Sequence, residues 1–492
     1  MATIPEFFAG KNLLLTGVSG FLGKVLVEKL LRSCPEINSI FVLIREKKGL
    51  SGKDRLAKIL SEKLFDHLHR EKPECFSKVK LVPGDLLEDQ IISNEDDEEM
   101  LLEQVNVVIH SAASVRFSEP LRNSVDVNLR ATYKLLEFAK KMKNLVSAVH
   151  ISTAYSNCQL RTVDETTYKC EVDPFQVMSL CEYMSTELVE ELRAKLLKDR
   201  PNTYTFTKAL TENLVEAYSN QIPIAIVRPS IITGAASEPL PGWVDNYNGP
   251  NGLLIALGTG ALTTLYSHLD CTADLIPVDY VANTILAAAS KQELGNFKIY
   301  NCTSGSQNPI NWRMFMEKSV DIPLRYPSTT MVRYPRPRVT SYKWLHETRL
   351  FLEHYVPVRI IDFGLRCARR QSNAFRLYQR LSNSMYLLEF FATNEWNFIN
   401  TNTQKLFESL HPSDKAEFNF DVRTIDWDSY VQTYCLGIRQ YVLNDDLSNL
   451  EGGKSHLRRL KCVQYGANLA LAWAAWKVCC AVLPCADLVG LC

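Results

Sequence analysis

Six short runs rich in Val, Ile and Leu recur through roughly the first 300 residues: "KNLLLTG", "SIFVLIR", "KVKLVPGD", "VNVVIHSAA", "VSAVHISTAY" and "IPIAIVRPS". Each is about as long as one strand, and strands covered on both faces read as near-continuous apolar runs of this kind. Amphipathic stretches such as "KVLVEKLLRSC" and "NLRATYKLLEFAKKM" separate them. Strand-length and helix-length patterns in alternation predict an α/β fold built on a doubly wound, mostly parallel sheet.

The first run leads into Gly17, Gly20 and Gly23 and then into the helix-like "KVLVEKLL". Glycines at this spacing are weak evidence alone. A strand before and a helix after make them a Rossmann-type dinucleotide turn. Gly17 would permit the tight turn, Gly20 the close approach of backbone to pyrophosphate, and Gly23 the packing of helix on sheet. Thr16, Ser19, Phe21 and Leu22 belong to the same turn, and the pyrophosphate would meet the free N–H groups at the helix start. The second run ends at Arg45, 22 residues after Gly23. An acidic residue near this place would bind the ribose hydroxyl of NAD. A cation, with Lys47 and Lys48 beside it, suits the 2′-phosphate of NADP, so NADPH is the expected cofactor. Asp85 and Leu86 follow the third run within reach of the adenine, Ala112 and Ala113 leave room for the cofactor after the fourth, and Pro229 closes the sixth.

"YTFTKAL" holds Tyr204 and Lys208, and positions i and i+4 share a helix face. An ammonium beside a phenol lowers its pKa from about 10 toward working pH. Such a tyrosine gives a proton to an oxygen that gains charge as hydride arrives at its carbon; the lysine would also hold the nicotinamide ribose. Ser152 and Thr153, where the fifth run ends, offer hydroxyls to the same oxygen, Thr153 being the preferred one. Asn128 is a candidate to hold a water in the proton path.

A chain of 492 residues exceeds one ordinary core. The expected division is a cofactor domain over 1–322 with a substrate lobe at about 235–300, a proline-rich linker over 323–340, a smaller α-helical domain over 341–461 and an apolar tail over 462–492. Acidic and basic residues balance at 55 each, which gives no reason to expect nucleic acid. The fourteen cysteines are scattered, without metal-ligand spacing, and "MATIPEFFAGK" lacks the basic and apolar regions of a secretory signal. They read as reduced thiols in a protein facing the cytosol, with no metal site. Behind the basic "SHLRRLK", the run Val463 to Cys492 has the length to reach across a bilayer, but Lys477, Pro484 and Asp487 interrupt it. It is expected to attach the chain to a membrane. Trp344 to Arg370 carries too many charges to span one; it reads as an amphipathic helix or pair of helices that either packs its apolar face on the core, the preferred reading, or lies on a membrane surface.

Taken together, "IPEFFAGKNLLLTGVSGFLGKVLVEKLLRSCP", "HSAASVRF", "HISTAYSN", "YTFTKALTE" and "IAIVRPSIITGA" resemble the alcohol-forming fatty acyl-CoA reductases of the extended short-chain dehydrogenase/reductase superfamily. The stretch from "FATNEWNF" to "GIRQYVL" is similar to that family's helical C-terminal domain. The resemblance implies a long-chain fatty acyl-CoA substrate, two hydride transfers from NADPH by way of an aldehyde, and a primary fatty alcohol product. It implies membrane lipid as a contact of the tail, at the endoplasmic reticulum first and peroxisomes second, and it allows a homodimer. The 50 residues between Thr153 and Tyr204 include an amphipathic stretch, Glu182 to Asp199, of the kind the family inserts. A nucleotide-sugar epimerase or 3β-hydroxysteroid dehydrogenase would use the same turn and Tyr–Lys pair, and a non-catalytic NADP-binding scaffold would use the turn alone.

Overall fold

The structure, a computed structural model, describes residues 2–47, 49–368, 370, 373–445 and 447–482. Lys48, Pro484 and Asp487 therefore lie outside the described residues. Seven strands form one parallel sheet: β1 (Asn12–Thr16), β2 (Ser39–Ile44), β3 (Val79–Pro83), β4 (Val107–His110), β5 (Ser147–Ile151), β6 (Ile224–Pro229) and β7 (Lys298–Cys302). Their spatial order is β7-β6-β5-β4-β1-β2-β3. The winding reverses between β1 and β4, where a doubly wound sheet opens a crevice at its carboxyl edge. Along β1, Leu13 and Leu15 enter one core and Leu14 the opposite one, so both faces are buried as the unalternated runs require.

The first six strands are the six apolar runs. The seventh, "KIYNC", is masked by Asn301, a buried polar residue whose amide donates to the carbonyls of Val163 at 3.2 Å and Ile399 at 2.6 Å. Helix α1 (Phe21–Ser33) follows the glycine turn, and α2 (Thr203–Tyr218) carries the Tyr–Lys pair. Glu182 to Asp199 is split: one helix ends at Tyr183, and Ser185 caps the next, Thr186–Leu197. The lobe after β6 is loop around a short helix, Pro250–Gly258, followed by a short strand, Leu275–Pro277, and α3 (Val278–Lys291).

Residues 323–340 are not a free linker. Pro323 lies inside helix α4 (Trp312–Arg325), and Arg338–Thr340 pairs in parallel with Thr264–Tyr266. Between them the Val332 N–H donates to the Thr259 carbonyl at 2.9 Å, which ties the strap to the lobe. The C-terminal helices share the first domain's core. On α5 (Trp427–Gly437), the Tyr430 hydroxyl donates to the Gly234 carbonyl at 2.8 Å, and a Cβ on Gly437 would run into the Gly242 carbonyl.

From Lys343 to Cys367 the chain is almost one continuous helix, widened by a π-type turn over Phe351–Tyr355. Its apolar face does not pack on the core as the sequence reading expects. His346, His354 and Asp362 are buried, while Phe351, Ile360 and Phe363 face outward. The last helix, α6 (Leu450–Val482), starts ahead of the basic stretch, passes through it and runs into the apolar tail. No helix among the described residues is long and apolar enough to cross a membrane.

Candidate active site

The glycine turn is built for a dinucleotide. Gly17 has φ +80°, and a Cβ there would come within 2.6 Å of the Ser111 carbonyl carbon, so only glycine lets the turn sit against the end of β4. A Cβ on Gly23 would meet the Gly17 carbonyl. Gly20 caps α1 with no side-chain hydrogen bond, which leaves the first-turn N–H groups of Phe21, Leu22 and Gly23 for an anion. Ser19 is exposed at the lip. Phe21 stacks on Trp243 with centroids 5.2 Å apart. These residues fit the pyrophosphate of a nicotinamide dinucleotide.

At the ends of β2 and β3, Arg45 and Asp85 pair with each other at 3.1 Å. The guanidinium is half exposed there and has that carboxylate as its partner. Leu86 is buried beside them. Ala112, partly buried, donates its N–H to the Thr16 hydroxyl at 3.3 Å, and Ala113 follows it in the same loop.

Register carries the next layer. Thr16 pairs with His110, and His110 with His150, so three polar side chains stand across neighbouring strand ends. His110 contacts the Thr16 hydroxyl at 2.7 Å and the Thr132 hydroxyl at 2.9 Å. Burial, helped by the nearby Lys208 charge, pushes its imidazole down to about 3 and keeps it neutral. Among the described residues, neither ring nitrogen of His150 has a partner. Sequence reasoning passed over both histidines because they sit inside apolar strands.

On α2, Tyr204, Lys208 and Glu212 occupy one face at successive intervals of four. Lys208 donates from Nζ to the Ile151 carbonyl at 2.7 Å, at the end of β5. The Thr153 hydroxyl stands close enough to the Tyr204 phenol to favour its ionised form, and it donates to the Pro229 carbonyl at 3.4 Å. Ser152 is differently engaged: its hydroxyl donates to Glu212 Oε1 at 2.5 Å. That carboxylate also receives Ser156 and is clamped by Arg228, Nε to Oε1 at 2.9 Å and Nη2 to Oε2 at 2.7 Å. Of the two candidate hydroxyls, only that of Thr153 meets the tyrosine. Glu212 and Arg228 were missed; the signal was a carboxylate four residues beyond the lysine in "KALTE".

Asn128 lies in a π-type turn, Val125–Arg130, and anchors the loop after β4. Its Oδ1 accepts the Ser114 N–H at 2.8 Å, and its amide donates to the Thr207 hydroxyl at 3.0 Å. The hydroxyls of Thr132 and Thr211 both donate to its carbonyl.

The pKa directions differ from the sequence reading. Burial pushes the Tyr204 phenol up to about 12. Burial also lowers Lys208 to about 8, with Glu212 acting the other way. The ammonium is spent on Ile151 and Glu212, so it does not make a phenolate of Tyr204. A tyrosine that keeps its proton is the form an acid catalyst needs. Lys208 carries its charge only below about 8, so kcat is expected to fall as pH rises through that value. A pH–rate profile checks this; a flat line past pH 9 would contradict it.

An aromatic wall completes the cleft. Phe117 lies 5.9 Å from Tyr204 and 5.4 Å from Phe391, centroid to centroid. Tyr155 contacts Phe391, Trp396 and Phe398, each at 5.2 Å. The C-terminal helical region thereby supplies apolar surface one ring away from Tyr204, through Phe117.

Fold and site together define an oxidoreductase of the extended short-chain dehydrogenase/reductase class with a nicotinamide cofactor. Two family models, both described as "Male sterility protein", match residues 15–285 and 353–445. Fatty acyl-CoA reductase 1 of Xenopus laevis is 42% identical over 481 residues, 97% of this chain and 93% of that protein. Fatty acyl-CoA reductase 2 of Mus musculus is 39% identical over 482 residues, with the same shares covered. The fold is shared with the terminal R domain from the myxalamid PKS-NRPS biosynthetic pathway, at a TM-score of 0.59, 18% identity, and coverage of 88% of this chain and 91% of that one. The chain belongs to the fatty acyl-CoA reductase family.

Proposed function

We propose that this chain reduces long-chain fatty acyl-CoA to primary fatty alcohol and free CoA, with NADPH as reductant. The observation that carries the reading is Tyr204. Its phenol faces Thr153 on one side, and on the other its ring packs on Phe117, which in turn packs on Phe391. An acid beside an apolar wall suits a carbonyl on a hydrocarbon chain. NADPH, when bound, supplies a hydride to each of two successive carbonyl carbons. Tyr204 and Thr153 hold the oxygen of the thioester as it gains charge, and Tyr204 donates its proton. The Tyr204 phenolate takes that proton back as the hemithioacetal expels CoA thiolate, and the resulting aldehyde meets the recharged acid and Thr153 for the second reduction. Lys208 orients the cofactor ribose from the end of β5. No cysteine is required, since no acyl-enzyme forms. The test is thiol release by purified chain supplied with acyl-CoA and NADPH; consumption of two NADPH per CoA supports the reading, and absence of thiol release sinks it.

Arg45 supports the choice of NADPH. Hydrogen bonds to charged groups contribute about 1.5–3 kcal/mol, so Arg45→Ala is expected to raise KM for NADPH about tenfold to a hundredfold and to leave KM for NADH within a few fold. Equal effects on the two cofactors would remove the assignment. The tail is assigned to membrane association, on the cytosolic side of the endoplasmic reticulum first and of peroxisomes second. Exposed Leu469, Trp473 and Trp476 on α6, following Arg458, Arg459 and Lys461, support that reading. If a chain ending at Lys461 fractionates with membranes as fully as the intact one, the tail is not the anchor. A homodimer is compatible with this function and is not required by it.

A further inference from the structure

The helix from Lys343 to Cys367 is amphipathic the wrong way round for a protein bathed only in water. Its polar side faces the molecule. His354 Nε2 accepts the Thr263 N–H at 3.2 Å and lies 2.9 Å from the Thr263 hydroxyl, His346 meets the Thr264 hydroxyl at 3.1 Å, and Asp362 is buried. Its apolar side faces out, with Ile360 65% and Phe363 70% exposed. The helix Ala374–Thr393 packs against it through Tyr355, Phe375 and Tyr378 and adds an outward Leu377. Exposed apolar side chains scattered singly need no explanation, but a contiguous face of them does.

Charge decides what covers that face. Residues 354–388 contain six arginines and one acid, Asp362, in a chain otherwise balanced at 55 against 55. Arg359, Arg366, Arg376 and Arg380 are exposed around the apolar patch. A second copy of this chain, meeting the patch face to face as two-fold symmetry requires, would set arginine against arginine. An anionic bilayer offers hydrocarbon at the centre and phosphate at the rim. The patch is also rooted beside the tail. Arg333 donates to the Glu353 carbonyl at 3.2 Å, and two residues earlier the Met331 carbonyl meets His456 of α6 at 2.8 Å.

We propose that the paired helices over 343–393 form a second membrane contact, independent of the tail, lying in the plane of an anionic leaflet with Phe351, Ile360 and Phe363 inserted. This deepens the proposed reduction and rests on it in one respect, the route of the substrate. From outward Leu377 to Phe391 at the Tyr204 wall is fourteen residues of helix, about 21 Å at 1.5 Å per residue. A long acyl chain leaving the bilayer along that helix would arrive at Tyr204.

The test is hydrogen–deuterium exchange on the full chain with vesicles of phosphatidylcholine alone or mixed with phosphatidylserine. Amides over 351–367 are expected to exchange at least about fivefold more slowly with the anionic vesicles only. Ile360→Asp combined with Phe363→Asp should abolish that slowing while leaving the response of 463–476 intact. Unchanged exchange over 351–367 on vesicles that the chain does bind would overturn the proposal. So would failure to bind any vesicle, or slowing that follows protein concentration without lipid, which would mark a second copy as the occupant. Turnover of a short, soluble acyl-CoA by the double variant is read in parallel. Its absence in the unmodified chain as well would refute the proposed reaction, not the membrane contact.

Discussion

Tyr204→Phe is expected to lower kcat for acyl-CoA reduction by about 10²–10⁴, the usual contribution of a positioned general acid. NADPH affinity should stay near that of the unmodified chain, because the phenol faces Thr153 and not the glycine turn. The substitution removes one oxygen and leaves the ring against Phe117, so folding should be preserved. Thr153→Val should have a smaller effect in the same direction, since it removes one donor to the same oxygen and leaves the acid. Stopped-flow measurement of NADPH oxidation separates the chemical step from product release. A Tyr204→Phe variant with near-normal single-turnover rate would refute the role given to this residue.

Glu212→Gln should damage both stability and catalysis. The carboxylate and Arg228 are both buried, and Arg228 also donates to the carbonyls of Asp164 and Thr166 at 2.9 and 2.8 Å. Removing one partner of a buried pair leaves the other charge uncompensated, at a cost on the order of 3–5 kcal/mol. The thermal midpoint should fall by several degrees. Catalysis should change in a way a purely structural pair would not produce. Glu212 is the group that holds the Lys208 pKa up against burial. Without its charge, the alkaline fall in kcat should begin at lower pH. Glu212→Asp should return part of that shift. An unchanged midpoint together with an unchanged pH profile would show that the pair serves neither purpose.

Much of this architecture is legible in the sequence, for reasons that also explain the rest. Six strands announce themselves as apolar runs, five of them because both faces are covered and β3, at the sheet edge with Lys80 exposed, through Val79, Leu81 and Val82. The seventh hides because the Asn301 amide N–H groups are taken up by carbonyls from residues far away in sequence, which no local pattern displays. The Tyr204–Lys208 spacing fixes a shared helix face, so the pair is visible at once. Glu212 on the same face is not singled out, because a carboxylate on a helix is ordinarily solvated and its partner Arg228 stands on a strand. The pKa directions fail to follow from spacing for a related reason: charge proximity can be read from a motif, burial cannot. Trp344 to Arg370 gives the sharpest case. Periodicity shows that a helix has an apolar and a polar face, but not which one turns inward. Here Thr263 and Thr264 satisfy the two histidines, and the apolar face is left outside. Arg45 and Asp85 are each placed at the cofactor rim by the sequence, while their contact with one another depends on the register of β2 and β3.

The central claim is that Tyr204, the glycine turn and the aromatic wall act together on an acyl thioester and carry it through to the alcohol. The most direct measurement is gas-chromatographic analysis of the products formed by purified chain from a long-chain acyl-CoA and excess NADPH. The account predicts fatty alcohol as the accumulating product, free aldehyde only in traces, and neither from the Tyr204→Phe variant. Aldehyde as the end product, or alcohol formed at full yield without the Tyr204 hydroxyl, would contradict it.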